Sequence, residues 1–206
     1  MILSWQKTEE LLEKYQIPLV ESLVIENAEQ GIEFANRVGY PVVLKLLSSD
    51  DLHKTDKGLV KLNLQNEQQL NSACKELGSL QKQGTEFLAQ KQVRGVELFM
   101  GMKWDKNFGP VVSFGLGGIF VEVLNNVVLG VCPINKKEAL EMIESIKGYK
   151  ILQGYRGQPK IDVEKLADIL VSVSKLAIEN ENIREIDFNP VFADGNNIMV
   201  ADAKII

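Results

Sequence analysis

Cysteine and histidine are scarce in this sequence of 206 residues, which contains two cysteines and one histidine. Cys74 and Cys132 lie far apart and form no C-x-x-C pair, so the chain fits a reduced intracellular protein better than a secreted one. The first residues also lack a basic segment followed by an apolar core, so no signal peptide is expected. Together these absences predict a cytoplasmic protein.

The sequence has no run of lysine and arginine long enough to follow a nucleic-acid backbone. Its 23 basic and 28 acidic side chains give a net charge of −5, which argues against DNA, RNA and anionic membranes as partners. A membrane-spanning run is also absent, because Glu122, Asn125 and Asn126 interrupt the most apolar stretch, residues 110–134. We therefore expect a globular protein that binds neither nucleic acid nor membrane.

The stretch Pro41–Val60 contains the first candidate functional residues. It opens with aliphatic residues that are typical of a strand, and Lys45 interrupts them. An unpaired buried ammonium group is costly, so Lys45 either lies on an edge strand with its amine in water or faces a cleft that holds an anion. The residues alone leave both interpretations open.

A polar, turn-forming segment follows this strand and contains His53, the only histidine of the chain. Lys54 supplies positive charge beside it, and Gly58 allows backbone N–H groups to approach an anion. A neutral imidazole is a competent nucleophile near neutral pH. The segment therefore predicts phosphate chemistry, and the alternative is a loop histidine that is merely exposed to solvent.

Helical and strand patterns follow one another along the chain. Polar capping residues predict helix starts at Thr8, Asn27, Asn66, Asn135 and Asp162. The alternation of Val60, Leu62 and Leu64 with polar residues predicts a half-buried strand. These patterns predict a mixed α/β protein.

Two further strands, residues 86–93 and 96–103, are predicted to be joined by a tight turn at Arg94-Gly95. Glu97 in the second strand is either a solvated carboxylate or an acceptor for a ligand hydroxyl or amine. The next segment, residues 108–123, holds four glycines among strand-forming residues, which indicates a close approach of its backbone to another surface. Arg156 lies in a later basic loop that is either solvated or able to clamp an oxyanion.

The end of the chain predicts a β-hairpin. If Gly195-Asn196 form the loop, Asn189 lies opposite Asp202. Asp187 lies opposite Lys204 in the same register, and all four side chains share one face. Amide and carboxylate oxygens are ligands that Mg²⁺ accepts when phosphates and waters complete its shell. The alternative is a solvated polar face with an Asp187–Lys204 ion pair.

Taken in order, seven segments of the sequence resemble the β subunit of ADP-forming acetyl-CoA synthetase: YPVVLK, HKTD, GVELFMG, FGPVVSFGLGGIFVEV, IKGYKILQGYRG, EIDFNPVF and the closing DAK. The resemblance extends from about Lys7 to the last residue. That family has the ATP-grasp fold and is related to the β subunit of succinyl-CoA synthetase. The resemblance implies one ATP-grasp domain over residues 1–206, with lobes of about 1–92 and 93–206 and a nucleotide cleft between them.

The resemblance also implies a reaction, in which an acyl-CoA, ADP and phosphate interconvert with the free acid, CoA and ATP. In the family a partner α subunit binds CoA and carries a first phosphohistidine, while the β subunit binds ATP or ADP with Mg²⁺. His53 matches the histidine that takes the phosphoryl group from the α subunit and passes it to ADP. Asn189 and Asp202 match the Mg²⁺ ligands. The patterns above and the resemblance together give the expected nucleotide or phosphate contacts as Lys45, Lys54, Gly58, Gln90, Val93, Glu97 and Arg156.

Two positions depart from the family pattern. Leu59 replaces the second glycine of a D-x-G-G-V segment, and Gly130 stands where the family commonly has an arginine that could contact an anion. These departures leave open a regulatory or assembly subunit that transfers no phosphate. A third interpretation is an ATP-grasp module that works beside a protein acyltransferase.

Overall fold

The computed structural model of this protein describes residues 2–48, 58–80, 85–118, 127–154 and 159–206. They form two compact units. Leaving aside the first two residues, the first unit comprises Leu3–Gln6 and Val20–Val93, and the second comprises Lys7–Leu19 and Arg94–Ile206. No helix in these ranges has the length and apolar character needed to cross a membrane. Each unit is built around its own antiparallel sheet.

The first helix, α1 (Trp5–Lys14), begins before the cap that the sequence predicts. The Trp5 side chain is buried, and its indole N–H donates a hydrogen bond to Ser22 Oγ at 3.1 Å. This anchor allows the helix to start at Trp5. Thr8 therefore lies inside the helix, where it is buried, and the predicted cap at Thr8 is wrong.

The first unit contains a four-stranded sheet in the order β1-β4-β2-β3 among its described residues. Its elements in chain order are β1 (Ser22–Ile25), α2 (Ala28–Val38), β2 (Val42–Ser48), β3 (Val60–Leu64), α3 (Glu67–Gly78) and β4 (Thr85–Lys91). Phe34 of α2 and Leu70 of α3 join Leu44 and Phe87 of the sheet in one apolar core. Both helices thus cover the same face of this sheet.

Strand β3 departs from the predicted alternation. Leu64 is buried, but Leu62 is 63% exposed. The cause is a bulge, because Val42 pairs with Leu64 while Leu44 pairs with Lys61, which leaves one extra residue on β3. Asn63 lies in this bulge with a φ of 58°, and its N–H donates to Gln92 Oε1. The prediction that Leu62 faces inward is wrong.

The described residues of the second unit form a six-stranded sheet in the order β10-β8-β5-β6-β7, with β9 also paired to β8. Its strands are β5 (Val96–Asp105), β6 (Gly109–Leu116), β7 (Val127–Val131), β8 (Glu185–Asp194), β9 (Asn197–Val200) and β10 (Ala203–Ile205). Its further helices are α4 (Lys136–Ser145), α5 (Tyr149–Leu152) and α6 (Val163–Glu179). Helix α6 packs against β5 and β6, and α4 packs against β6 and β7.

The remaining predicted helix caps are confirmed. Asn27, Asn66, Asn135 and Asp162 immediately precede helices, and each side chain accepts the backbone N–H three residues later at 3.0–3.1 Å. Asn135 forms a full capping box, because Glu138 accepts its backbone N–H in return. Each such cap contributes about 1 kcal/mol to stability.

Strands β4 and β5, which a tight turn was predicted to join, do not pair with each other. Strand β4 pairs with β1 and β2 in the first sheet, whereas β5 pairs with β6 and β8 in the second. Gly95 packs so closely on another strand that a Cβ atom there would lie 2.5 Å from the carbonyl oxygen of Ala193. Strand β5 belongs to the second sheet through its pairing with β6 and β8. The predicted tight turn at Arg94-Gly95 is instead a connection over residues 92–95 between strands of different sheets.

Candidate functional site

The terminal hairpin has the predicted register. Asp194 pairs with Asn197 across a two-residue loop, and Asp187 pairs with Lys204. The same register places Asn189 opposite Asp202, and the Asn189 N–H donates to the Asp202 carbonyl oxygen at 3.2 Å. These polar residues alternate with buried neighbours such as Phe188, so their side chains lie on the face away from the core.

A bulge in β8 exposes the Asn189 side chain. Leu98 of β5 pairs with Val191, but Met100 pairs with Phe188, so two residues of β8, Asn189 and Pro190, face a single residue of β5. Phe188 and Val191 on either side are fully buried. The core therefore holds the strand on both sides of the bulge, and the Asn189 amide is presented to solvent at a defined position.

The donor atoms of this hairpin fit a magnesium ion. Asn189 offers an amide oxygen, and Asp202 offers carboxylate oxygens from the opposing position. In the described part of the chain no three His, Cys, Asp or Glu side chains cluster as a metal site. A Mg²⁺ ion held by Asn189 and Asp202 would take the rest of its shell from phosphates and waters.

A second pair of predicted residues meets on the first sheet. Lys45 is 6% exposed and pairs with Leu88 of β4, and Gln90 is 2% exposed and pairs with Val43 of β2. Lys45 and Gln90 are therefore diagonal neighbours on one face, opposite the face that α2 and α3 cover. Because β2 lies between β4 and β3, the edge-strand interpretation of Lys45 is wrong.

The other predicted contacts are distributed along both units. Gly58 lies exposed in a turn before β3, and Val93 is half-buried at the end of the first unit. Glu97 is exposed near the start of β5. His53, Lys54 and Arg156 lie outside the described residues.

Glycines 117 and 118 have a neighbour that the sequence did not identify. The Gly117 N–H donates to the Glu97 carbonyl oxygen at 2.7 Å, so the chain after β6 lies directly on β5. A close approach of this backbone to another surface is confirmed, and the surface is the protein's own strand. The adjacent glycines in the sequence indicate that the backbone approaches another surface closely, but they do not indicate which surface it is.

Gly130, which replaces the arginine of the family pattern, lies on the face of β7 that packs against α4. A Cβ atom at this position would lie 2.7 Å from Met142 Sδ of α4. The opposite face carries the cross-strand row that runs from Leu129 through Ser113 and Gly101 to Asp187. A side chain at position 130 would therefore begin against α4 and away from the face of the predicted metal ligands.

The Leu59 departure has a packing role. Leu59 is 6% exposed and belongs to the apolar core of the first unit. Its carbonyl oxygen accepts a hydrogen bond from the Leu46 N–H at 2.9 Å, which keeps it beside β2. Compared with the glycine of the family pattern, Leu59 restricts the backbone but adds buried apolar surface to the core.

We expect Leu59→Gly to lower the free energy of unfolding by about 3–5 kcal/mol, because it removes a buried side chain and frees the unfolded backbone. Urea unfolding followed by circular dichroism measures this loss. Leu62→Gly is the matched control, since Leu62 is 63% exposed and lies on β3, which begins directly after Leu59. We expect this variant to lose about 1 kcal/mol or less. Equal losses in the two variants would contradict the packing role of Leu59.

Comparison with known proteins places the whole chain in one family. A family model described as an ATP-grasp domain matches residues 1–206. The chain is 40% identical to subunit β of ADP-forming acetate–CoA ligase I from Pyrococcus furiosus, over 97% of this chain and 89% of that protein. It is also 40% identical to ADP-forming acetate–CoA ligase I from Archaeoglobus fulgidus, over 95% of this chain but only 30% of that longer protein.

Solved structures of a third relative have the same fold. They are of dinucleotide forming acetyl-coenzyme A synthetase 1 from Candidatus Korarchaeum cryptofilum. Its complex with coenzyme A, Ca-AMPCP and HgCl⁺ matches with a TM-score of 0.92 at 36% identity, over 100% of this chain and 93% of that one. Its complex with coenzyme A and Mg-AMPPCP matches with a TM-score of 0.86 at the same identity, over 100% of this chain and 92% of that one. The ATP-grasp fold is therefore confirmed.

Proposed function

This chain belongs to the ATP-grasp family and groups with the β subunits of ADP-forming acetate–CoA ligases, and we propose that it is the nucleotide-binding, phosphoryl-transferring subunit of such a ligase. In the reaction, an acyl-CoA, ADP and phosphate are converted to the free acid, CoA and ATP. Acetyl-CoA is the proposed acyl-CoA, because the P. furiosus relative is named for acetate.

The terminal hairpin is the observation that carries the proposal. Its register brings an amide and a carboxylate, Asn189 and Asp202, to opposing positions on the face away from the core. Oxygen ligands of this number and type suit a metal ion that shares its shell with phosphate. A magnesium ion bound there would neutralise charge on the phosphate oxygens during transfer.

The first unit is proposed to supply a phosphate contact through Lys45. A cation that is 6% exposed attracts a phosphate more strongly than a fully hydrated one, because less water screens it. Gln90, its diagonal neighbour, can donate or accept a hydrogen bond at the same place. We assign both to the nucleotide, with Val93 and Glu97 as hinge and ribose contacts.

The phosphoryl carrier is proposed to be His53. Its imidazole would form an N–P bond as the N–P bond to the phosphohistidine of the α subunit breaks, and the new N–P bond would break in turn as the phosphoryl group bonds to an oxygen of ADP. Lys54, Gly58 and Arg156 are assigned to phosphate binding during these transfers. The step needs no other histidine, and the sequence contains none.

The proposed partner is a CoA-binding α subunit in a hetero-oligomer. The P. furiosus relative is named a β subunit, and this chain covers 89% of it, whereas the matching segment is 30% of the longer A. fulgidus protein. We propose that both subunits work in the cytoplasm, in keeping with the low cysteine content.

We expect Lys45→Met to raise the Kd of this chain for Mg-ADP by about 10–100-fold, because a charge-assisted hydrogen bond to phosphate is lost. Isothermal titration calorimetry with the whole chain measures the change. Methionine keeps the length and apolar stem of the lysine, so packing around β2 is retained.

Lys61→Met provides the control, since Lys61 is on β3 next to β2 and pairs with Glu76 of α3. We expect its Kd to stay within about twofold of wild type. Equal weakening by the two substitutions would overturn the assignment of Lys45. Absence of Mg-ADP binding by the wild-type chain would count against the proposed function itself.

A further inference from the structure

Two adjacent glycines that follow β6 contact β5 in different ways. At Gly117, a Cβ atom would lie 3.0 Å from both the Glu97 carbonyl carbon and the Leu98 oxygen. These are backbone atoms of a central strand and cannot move aside. Gly117 is therefore needed for the packing of the chain against β5.

At Gly118, the three atoms nearest to an added Cβ all belong to the Glu97 side chain. A Cβ atom there would lie 2.5 Å from Glu97 Oε2, and the next nearest atom is the carboxyl carbon at 3.4 Å. Oε2 is the far end of a flexible side chain, so it could swing away from an added methyl group. A substitution at Gly118 would thus move the carboxylate and leave the strands in place.

We propose that Gly118 is a positioning residue for Glu97, holding open the space in which its carboxylate accepts hydrogen bonds from the ribose hydroxyls of a nucleoside diphosphate. An exposed glutamate samples many rotamers, and the rotamer present here places Oε2 in the space that a Cβ atom at Gly118 would occupy. The carboxylate is then pre-organised, and less entropy is lost when the nucleotide binds. This inference rests on the proposed function.

A double-mutant cycle with Mg-ADP and the whole chain tests the proposal. We expect Glu97→Ala and Gly118→Ala each to raise the Kd by about tenfold, since each removes the carboxylate from its place. The double variant should bind no more weakly than Glu97→Ala alone, because no carboxylate is left to displace. Additive losses, or wild-type affinity in Gly118→Ala, would overturn the proposal.

Gly109→Ala separates positioning from backbone strain. Gly109 pairs with Asp105 at the other end of β5 from Glu97, has a φ of +74°, and has no atom within 4 Å of its added Cβ. Both substitutions should lower the Tm through left-handed strain, but only Gly118→Ala should raise the Kd. A raised Kd in Gly109→Ala as well would assign the effect to strain and overturn the proposal.

Glu97→Asp tests the same idea without touching the glycine backbone. It keeps the charge but withdraws the carboxylate by one methylene from Gly118, so we expect a Kd about tenfold above wild type. Wild-type affinity in this variant would also overturn the proposal. If the wild-type chain binds Mg-ADP but the cycle is additive, only this inference fails; if the wild-type chain does not bind, the proposed function fails with it.

Discussion

Replacing His53 by alanine is expected to abolish turnover in the complex with the α subunit, with a loss of at least about 10³-fold. The imidazole is the proposed covalent carrier, and removing a nucleophile costs far more than removing one hydrogen bond. ATP formation from acetyl-CoA, ADP and phosphate measures the loss. Binding of Mg-ADP by the variant should stay within about twofold of wild type, since His53 is not assigned to the ground-state nucleotide contacts.

The single histidine makes the covalent step directly testable. Incubation of the whole chain with Mg-ATP labelled in the γ-phosphate should transfer at most one phosphoryl group, as the N–P bond forms and the bond to ADP breaks. Phosphohistidine is labile in acid and stable in base, which distinguishes it from a phosphoserine or phosphothreonine. Because the chain has no other histidine, His53→Ala should lose this label completely.

If the wild-type chain binds Mg-ADP but shows neither labelling nor turnover, the proposed phosphohistidine at His53 is contradicted. That result would favour a regulatory or assembly subunit. Leu59 and Gly130, which first suggested that alternative, do not favour it in the structure. Leu59 belongs to the core of the first unit, and position 130 faces Met142. Both departures are accommodated by packing.

Asp202→Ala is expected to remove the stabilisation of this chain by Mg-ADP. At 100 times its Kd, a ligand that binds only the folded state adds about 2.7 kcal/mol to the free energy of unfolding. The wild-type chain should show this as a raised Tm that EDTA abolishes. The variant should show no rise at the same concentrations, because the hairpin would keep a single proposed metal ligand, Asn189.

Asp194→Ala is the matched control for that experiment. Asp194 is an exposed aspartate of the same hairpin, next to its loop and paired with Asn197. Its replacement removes the same charge and should leave the Mg-ADP stabilisation intact. Equal losses in the two variants would mean that net charge, and not coordination at Asp202, controls nucleotide binding.

The register of the terminal hairpin was predictable because it depends on local features of the sequence. The Gly195-Asn196 loop sets the pairing, and the alternation of side chains sets the face, so Asn189 could be placed opposite Asp202 from the sequence alone. The helix caps at Asn27 and Asn66 follow for the same reason, since each cap satisfies a backbone N–H only three residues away.

The predictions from sequence were wrong where contacts with a distant part of the chain determine the local structure. Strands β4 and β5 are neighbours in sequence, yet β5 pairs with β6 and β8 in another sheet, where Gly95 packs closely on Ala193. The start of α1 likewise depends on a hydrogen bond from Trp5 to Ser22. Leu62 faces solvent because of a bulge that the alternation does not reveal.

By itself, the sequence determined the family, the helix caps and the opposition of Asn189 and Asp202, because these depend on residue order and on short-range backbone geometry. Only the tertiary structure decided that Lys45 lies buried on an interior strand beside Gln90, and that Glu97 Oε2 occupies the space over Gly118. Such contacts join residues that are far apart in the chain. Their formation depends on which strands pair, and that choice is made by the packing of each whole sheet.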